Sequence, residues 1–309
     1  MPLTLVEAAK LAANEGRVME AAIAMQYAEA SMILEFLPFR DIAGGALTYN
    51  REETMPGIGF RGVNSGFEES TGIVNPVVET LAIAGGDLDV DRFITSTMGA
   101  DVRESQEQMK VRSLALAWER TFINGDTQTA PTEFDGLKKR LTGTQLVANA
   151  TSGTAPLSLN NLDYAISRCR MATHLVMNVK TRLNLQAAAR NTGVGGYITQ
   201  TINEFGQPVT QYGNLPIIEL EEDNEGNEIL PFTEAGNGSG TDGSSIYVVS
   251  FRDMGLFGIQ NGSIRVDDLG MLETKPALRT RVEWYAGIAI YDGRSASRLY
   301  GVADGAVTA

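Results

Sequence analysis

The chain has 309 residues, 43% of them hydrophobic, which is enough to bury a core and suggests about two domains. Its formal net charge is −13 and its lysines are scattered, so we expect no tight, direct binding of nucleic acid. A single cysteine excludes an internal disulfide, and no window approaches the roughly 18 apolar residues that span a membrane.

The N-terminal segment Leu3–Leu37 is rich in alanine, leucine, methionine and glutamate, which favour helix. Thr4 and Glu7 have the spacing of a capping box, and Gly16 interrupts the run. Pro38 ends it, because a proline disfavours helix in the residue before it. Two interpretations stay open: an ordinary packed helix, or an extended arm that lies on another chain.

The next stretch, 44–94, is rich in glycine and contains no lysine. Alternation at Leu47 and Tyr49 predicts one strand, and alternation at Leu88 and Val90 predicts a second, with an irregular tip between them. We therefore expect a long two-stranded excursion. An isolated hairpin is marginal in water, so it needs a surface to lie on, and a partner subunit is one such surface.

Thr97–Phe122 is the strongest helical pattern in the chain and would span about 39 Å at about 1.5 Å per residue. Asn124 and Gly125 supply the stop signal. Its apolar residues fall on two faces, Met98, Val102, Met109 and Leu116 on one and Val111, Leu114, Trp118 and Phe122 on the other. Two apolar faces predict a central helix that is packed from two sides.

The C-terminal half mixes helix and strand. Helical patterns cover Leu159–Met171 and Lys180–Arg190. Apolar or alternating runs predict strands at His174–Met177, Leu215–Leu220, Ile246–Phe251 and Val282–Ile290. An acidic loop, Glu221–Glu228, and a glycine- and serine-rich loop, Gly236–Ser245, separate the middle strands. The order of elements predicts an α+β protein in which helices and strands are partly segregated.

Catalytic chemistry finds little support in the sequence. His174 is the one histidine and lies in an apolar run, so we expect a structural role for it. One cysteine and one histidine cannot supply the about four ligands of a zinc site. Gly57–Gly62 matches the spacing of a dinucleotide-binding loop, but Pro56 precedes it and no helix pattern follows. We expect no enzyme activity, no catalytic residue, no cofactor and no bound metal.

Asp87, Asp89 and Asp91 alternate on the second predicted strand, so their carboxylates share one face. The glycine and glutamate that complete a calcium-binding loop are missing. A solvated or interface-facing strand surface is the default interpretation. The alternative is a divalent ion, or an arginine of a neighbouring subunit, that neutralises three crowded charges. The loop Glu221–Glu228 has the same ambiguity.

Several segments together resemble the major capsid proteins of tailed bacteriophages, and their order is similar to the Hong Kong ninety-seven-like capsid fold. These segments are Leu34–Phe39, Leu47–Arg51, Phe60–Asn64, Trp118–Asp126 and Glu133–Leu137. The resemblance covers nearly the whole chain in element order, and its motifs concentrate in residues 34–137. It implies an N-terminal arm (1–43), an extended β-hairpin loop (44–94), a peripheral domain with a long spine helix (95–141 and 250–292) and an axial domain (142–249 and 293–309).

The resemblance also implies a function and partners. Copies of the chain would form hexamers and pentamers of an icosahedral shell that encloses double-stranded DNA without sequence-specific binding. Portal, scaffolding or decoration proteins would be further partners, with assembly in the host cytoplasm and a final place in the virion capsid. Two departures from the family's type member matter. The type member forms covalent cross-links through a lysine of the extended loop, whereas the loop 44–94 has no lysine, which puts lysine–asparagine cross-linking from this loop out of reach. The type member also begins with a long scaffolding segment, whereas the arm here starts near Leu3, so we expect scaffolding from another protein or no need for it.

The charged residues of the loop and the following strand are the candidates for contacts between subunits. They are Arg51, Arg61, Glu68, Glu69, Asp87, Asp89 and Asp91. Charge pairs at such a rim set register more than affinity. Two other classes stay open: an encapsulin-like compartment, which shares the fold but encloses enzymes, and an ordinary α+β enzyme, against which the single histidine argues.

Overall fold

The computed structural model describes residues 2–14, 18–98, 101–190, 198–202 and 208–308. The helices there are α1 (Leu5–Asn14), α2 (Val18–Ala30), α3 (Met32–Phe36), α4 (Arg92–Met98), α5 (Asp101–Asn124), α6 (Leu137–Arg140), α7 (Leu159–Arg168) and α8 (Val179–Ala189), with a 3-10 turn at Gly143–Gln145. The strands are β1 (Leu3–Thr4), β2 (Pro38–Asp41), β3 (Ala46–Thr54), β4 (Ile73–Thr80), β5 (Ala82–Asp91), β6 (Leu146–Ala148), β7 (Ala155–Ser158), β8 (His174–Asn178), β9 (Ile198–Ile202), β10 (Pro208–Tyr212), β11 (Leu215–Leu220), β12 (Gly243–Val249), β13 (Leu256–Gln260), β14 (Arg265–Met271), β15 (Ala277–Ile290) and β16 (Ala296–Thr308). The predicted α+β class is confirmed.

The N-terminal segment forms three helices that pack on the body of the same chain. The Thr4 N–H donates to Oε2 of Glu7 at 3.0 Å and the Glu7 N–H donates to Oγ1 of Thr4 at 3.2 Å, so the predicted capping box is confirmed. Gly16 lies outside the described residues. Tyr27 and Leu34 are completely buried in the main core. In this chain α2 and α3 are therefore packed helices.

Within the described residues, six strands form a sheet in the order β1-β2-β13-β15-β14, and β5 also pairs with β15. The long strand β15 runs antiparallel to β5, from Ala277 opposite Asp91 to Ala286 opposite Ala82. Val282 and Trp284 are buried and the intervening residue is not, as the predicted alternation requires. The ladder between β14 and β15 shifts register at Asp268–Gly270.

A second sheet has eight strands among the residues described, ordered β6-β16-β12-β8-β11-β10-β9, with β7 also paired to β16. Strand β12 lies in the middle and is buried along its full length, which fits the apolar run predicted as a strand. Helices α7 and α8 pack against this sheet through Leu162 and Leu185, which share a core with Leu175 and Ile246. The boundaries of the predicted domains stay a prediction.

Helix α5 is the predicted long central helix, with different ends. The sequence predicts one helix from Thr97, whereas α4 ends at Met98 and α5 begins at Asp101, with 99–100 outside the described residues. One predicted apolar face is buried: Val111, Trp118 and Phe122 lie in the main core. The other face is only partly covered by its own chain: Met109 is 53% exposed, and Val102 and Leu116 are half-buried. Packing of this helix from two sides stays a prediction.

Two glycines fix the chain where α5 ends. The Gly136 N–H donates to the carbonyl of Gly125 at 2.8 Å. A Cβ on Gly125 would lie 2.2 Å from the carbonyl oxygen of Phe134, and one on Gly136 would lie 2.6 Å from the carbonyl oxygens of Ile123 and Thr121. No side chain fits at such distances. Because the backbone segments approach so closely, the two motifs Trp118–Asp126 and Glu133–Leu137 require glycine at positions 125 and 136.

The projecting hairpin differs from the predicted one in its second strand. Strand β3 pairs with β4, from Ala46 opposite Thr80 to Thr54 opposite Ile73. The strand that carries Leu88 and Val90 is β5, which belongs to the six-stranded sheet. The expected pairing of 47–50 with 88–90 is therefore wrong, and the excursion closes at Thr80 instead.

Candidate assembly surface

The hairpin is fixed to the body of the protein at its base. Both terminal nitrogens of Arg140 on α6 donate to the carboxylate of Glu79 on β4, at 2.5 and 2.8 Å. Tyr49 Oη donates to the backbone carbonyl of Ile290 at 2.8 Å. Burial, together with the negative charge of Glu79, raises the pKa of Tyr49 to about 12, so this hydroxyl stays a donor at neutral pH. The base is therefore a defined junction between hairpin and body.

The tip of the hairpin, residues 55–72, contains neither helix nor strand and is exposed throughout. Five large apolar side chains there have relative exposures from 69% to 106%: Met55, Ile58, Phe60, Val63 and Phe67. Exposed large apolar side chains that occur singly are normal, but a group of them on one projecting segment indicates an interaction surface. The tip thus has the composition of a surface that another molecule covers.

A few polar contacts give the tip local order. The Gly57 N–H donates to Oγ of Ser70 at 2.7 Å, which closes the segment near its two ends. The guanidinium of Arg61 lies 5.2 Å from the ring centre of Phe67 and donates to the carbonyl of Ser65 at 3.1 Å. No helix follows the Gly57–Gly62 stretch, as a dinucleotide-binding loop would require.

The predicted contact residues of the hairpin are all at the surface. Arg61, Glu68 and Glu69 lie in the tip, and Arg51 lies on β3. A Cβ on Gly293 would lie 3.8 Å from Cζ of Arg51, so this guanidinium rests against the turn that follows β15. The structure does not bring Arg51 together with the tip residues. A role for these four in contacts between subunits stays a prediction.

Asp87 and Asp89 are paired with arginines of their own chain. On the antiparallel ladder of β5 and β15, Asp87 lies opposite Arg281 and Asp89 lies opposite Arg279. The Nε atoms of the two arginines are 2.7 and 2.6 Å from the carboxylates. Hydrogen bonds from Arg281 lower the pKa of Asp87, and hydrogen bonds from Arg279 and Lys275 lower the pKa of Asp89. The arginines that neutralise these carboxylates come from the adjacent strand of the same chain, and not from a neighbouring subunit as one alternative expected.

Asp91 has a different role from the other two aspartates. It lies opposite Ala277, so no cation faces it across the ladder. Its Oδ1 accepts the N–H of Phe93 at 2.7 Å, at the start of α4. A side-chain oxygen in this position satisfies an N–H that the first turn of a helix leaves unpaired. Whether any of the three aspartates contacts another subunit stays a prediction.

Glu119 is a buried carboxyl group on α5 that holds the N-terminal helices. Ser31 Oγ donates to its Oε1 at 2.9 Å, and Ser31 itself caps α3 by accepting the N–H of Leu34. Burial raises the pKa of Glu119 to about 8, although the hydrogen bonds from Ser31 and the backbone of Ile33 act in the opposite direction. At neutral pH the group is therefore mainly protonated.

The isolated histidine and cysteine have structural surroundings. The ring of His174 lies between those of Phe36 and Phe251, with centres 4.7 and 5.2 Å away, and burial lowers its pKa to about 4. Burial raises the pKa of the Cys169 thiol to about 12. A neutral ring packed between two aromatic rings fits the predicted structural role of the histidine. The cysteine is buried as well.

The acidic loop Glu221–Glu228 is ordered by its own backbone. Oδ1 of Asp223 accepts the N–H groups of Glu225 and Asn227, both at 2.9 Å, and Lys180 pairs with Glu228 at 2.8 Å. In the part of the chain that the structure describes, no three or more His, Cys, Asp and Glu side chains are grouped to hold a metal ion. Nor does any helix described have the length and apolar character needed to cross a membrane.

Sequence reasoning missed the contacts that join distant parts of the chain. Glu79 and Arg140 are separated by 61 residues, and Ser31 and Glu119 by 88. Neither pair stands in a periodic pattern or at a motif spacing. The one available signal was chemical: a glutamate inside an apolar helix face, as Glu119 is, needs a partner when buried.

No protein-family model matches the sequence, and no curated protein matches it either. Solved structures do match. The holo-SrpI encapsulin complex from Synechococcus elongatus PCC 7942 aligns with a TM-score of 0.63 and 16% identity over 90% of this chain and 89% of that one. The capsid of an empty GTA particle aligns with a TM-score of 0.62 and 16% identity over 89% of this chain and 90% of that one. A chain of Microbacterium phage Oxtober96 aligns with a TM-score of 0.62 and 8% identity over 89% of this chain and 91% of that one.

These alignments span nearly the full length of both chains, so the chain has the Hong Kong ninety-seven-like capsid fold. The fold predicted from the resemblance is confirmed, with α5 in the place of the long spine helix.

Proposed function

We propose that this chain is the major capsid protein of a tailed bacteriophage. Its copies assemble into hexamers and pentamers, and these close into an icosahedral shell around double-stranded DNA. The observation that supports this proposal most directly concerns the hairpin. It is fixed to the body at Glu79 and Tyr49, and its tip presents five large apolar side chains to solvent. In the capsid fold, such a surface calls for another copy of the chain to cover it.

Non-covalent contacts would hold this shell together. The hairpin contains no lysine, so the apolar tip and its charged residues supply the contact energy and the register. The strongly negative chain suits a container for DNA, because a wall of like charge holds DNA without gripping it. Portal, scaffolding or decoration proteins are further partners under this proposal, with assembly in the host cytoplasm.

An encapsulin-like shell, which encloses enzymes instead of DNA, is the second candidate. An encapsulin complex is among the similar structures, and the alignment extends over nine tenths of this chain. The two functions share the fold and the self-assembly but differ in contents. The contents of purified particles therefore separate them.

The test has two stages. The purified protein is first examined by negative-stain electron microscopy, where closed particles of about one size are expected and discrete small oligomers would refute shell formation. Particles isolated from the producing cells are then treated with nuclease and opened. Protected double-stranded DNA supports the phage capsid, whereas particles filled with an enzyme and free of DNA support the encapsulin-like shell.

Charge reversal in the tip tests the role of the hairpin. Arg61→Glu and Glu69→Arg are expected to reduce the yield of shells while the free subunit keeps its stability, because both side chains are exposed. Sedimentation measures assembly and urea unfolding measures the subunit. Shells in normal yield from both variants would show that these tip charges have no part in assembly.

A further inference from the structure

A cleft of about 710 Å³ lies where the hairpin leaves the body. One wall is the base of the hairpin. The other is formed by three loops, which follow α7, β12 and β15 and contribute Arg170, Arg252 and Arg294. Arg51 of the hairpin rests against Gly293 of the third loop. Three guanidinium groups therefore line the cleft, and that of Arg51 lies beside it.

The three loops are joined by hydrogen bonds that hold these arginines near one another. The Arg170 N–H donates to the carbonyl of Arg294 at 2.7 Å. Nη2 of Arg252 donates to the carbonyl of Arg170 at 3.1 Å, and its Nε donates to Oγ of Ser250 at 2.8 Å. The three loops and the guanidinium of Arg252 thus form a fixed arrangement, from which the side chains of Arg170 and Arg294 extend.

The negative charge inside the cleft is too small to balance these cations. Asp292 is the one acidic residue among the described lining residues. Its Oδ2 lies 3.9 Å from Nη1 of Arg170. Within the described chain, Arg51, Arg252 and Arg294 form no ion pair. Like charges held together repel one another, so an anion that enters the cleft is attracted.

Apart from Asn50 and Gly293, the remaining lining of the cleft is apolar or aromatic. Tyr49 and Tyr291 pack with ring centres 4.4 Å apart, and the side chains of Met55 and Met254 complete this part. Methionine and tyrosine side chains form favourable contacts with an aromatic ring. The cleft therefore fits a carboxylate that stands next to an aromatic group.

The chain itself contains such a segment in the tip of the hairpin. Phe67 is 69% exposed, and Glu68 and Glu69, which follow it directly, are exposed as well. Among the residues described, neither glutamate forms an ion pair, and neither lines the cleft of its own chain. The guanidinium of Arg61 contacts the Phe67 ring but forms no ion pair with either glutamate among the described residues, so both carboxylates are available to a cation of another chain.

We propose that the arginine cleft receives the segment Phe67–Glu69 of a second copy of this chain. The carboxylates of Glu68 and Glu69 pair with Arg51 and Arg294 at the rim, and Phe67 packs on the tyrosines and methionines. The inference rests on the proposed self-assembly and specifies the residues that meet. It gives the hairpin an acceptor on the neighbouring subunit.

Charge exchange between the two surfaces is the first test. Reversing the cleft with Arg51→Glu and Arg294→Glu, or the tip with Glu68→Arg and Glu69→Arg, is expected to lower the yield of shells about tenfold or more. All four substitutions in one chain restore attraction and are expected to restore shells. Arg92→Glu with Arg112→Glu, both exposed, changes the net charge by the same amount as the cleft variant and serves as its control. Circular dichroism of the subunits checks folding.

Cross-linking between two chains is the second test. Protein with Glu69→Cys is mixed with size-tagged protein carrying Arg294→Cys before assembly and is then oxidised. Cys169 is buried and does not compete. A disulfide-linked pair of one tagged and one untagged chain is expected, and far less of it when Glu225→Cys replaces Arg294→Cys.

Each result decides. Loss, restoration and the specific cross-link together support the proposal. Three outcomes would overturn the proposal without contradicting shell formation. The cleft variant could form shells in normal yield, the fourfold exchange could fail to restore shells, or cross-linking to position 225 could equal cross-linking to position 294. Normal shells that have lost bound nucleic acid would also overturn it, in favour of phosphate as the ligand of the cleft. Wild-type protein that forms no shells refutes the proposed function itself.

Discussion

Glu119 is a carboxyl group enclosed in the core where α5 meets the N-terminal helices, and its burial raises its pKa from 4.5 to about 8. Between these two values the folded chain binds a proton that the unfolded chain has released. The free energy of unfolding must therefore fall as the pH rises through this window. At about 1.4 kcal/mol per pKa unit, the fall between pH 5 and pH 8 is about 3 kcal/mol.

Glu119→Gln removes this dependence, because glutamine keeps the shape and can still accept the hydrogen bond from Ser31 but does not ionise. Relative to wild type, the variant is expected to gain about 3 kcal/mol between pH 5 and pH 8. Urea unfolding of the free subunit at the two pH values measures it. Glu225→Gln, on an exposed loop, is the matched control. A difference between variant and wild type that is equal at both pH values would refute the reasoning.

The other predictions concern the hairpin and the end of α5. Arg140→Met leaves the mostly buried carboxylate of Glu79 without its partner and should cost about 3 kcal/mol of unfolding free energy, with faster proteolysis at the hairpin base as the second readout. An undiminished stability would contradict it. Gly136→Ala places a Cβ 2.6 Å from two carbonyl oxygens and should cost well over the about 1 kcal/mol expected for Gly143→Ala, whose Cβ meets open space. Equal losses in urea unfolding would refute the packing argument. Phe60→Ser should leave subunit stability within about 0.5 kcal/mol but lower shell yield in sedimentation.

Local patterns in the sequence predicted the elements whose burial repeats at short range. The alternation at Val282 and Trp284 lies in β15, and the apolar face of α5 that contains Trp118 is buried as predicted. Both signals are local, because the alternate side chains of one strand, or the side chains on one face of a helix, pack against the same neighbouring element. The long central helix and the α+β class followed from them.

Pairing between distant segments could not be predicted in the same way. The second hairpin strand contains Pro76, which lacks the N–H that a ladder uses, so that stretch resembled an irregular loop. The alternation of Asp87 and Asp89 predicted a shared face but not their partners, since Arg281 and Arg279 follow some 190 residues later. The arginine cleft assembles from four separate segments, and none of them has a cluster of its own.

Among the residues that the structure describes, strand β14 pairs with β15 alone, so its other edge has no neighbouring strand there. It carries Arg265, Asp267 and Asp268, and its ladder is displaced at Gly270, where φ is +75°. Charge and a local kink on an edge strand oppose edge-to-edge pairing of sheets, which is a route to aggregates. Subunits crowded at high concentration can therefore meet through their specific contacts without fusing their sheets.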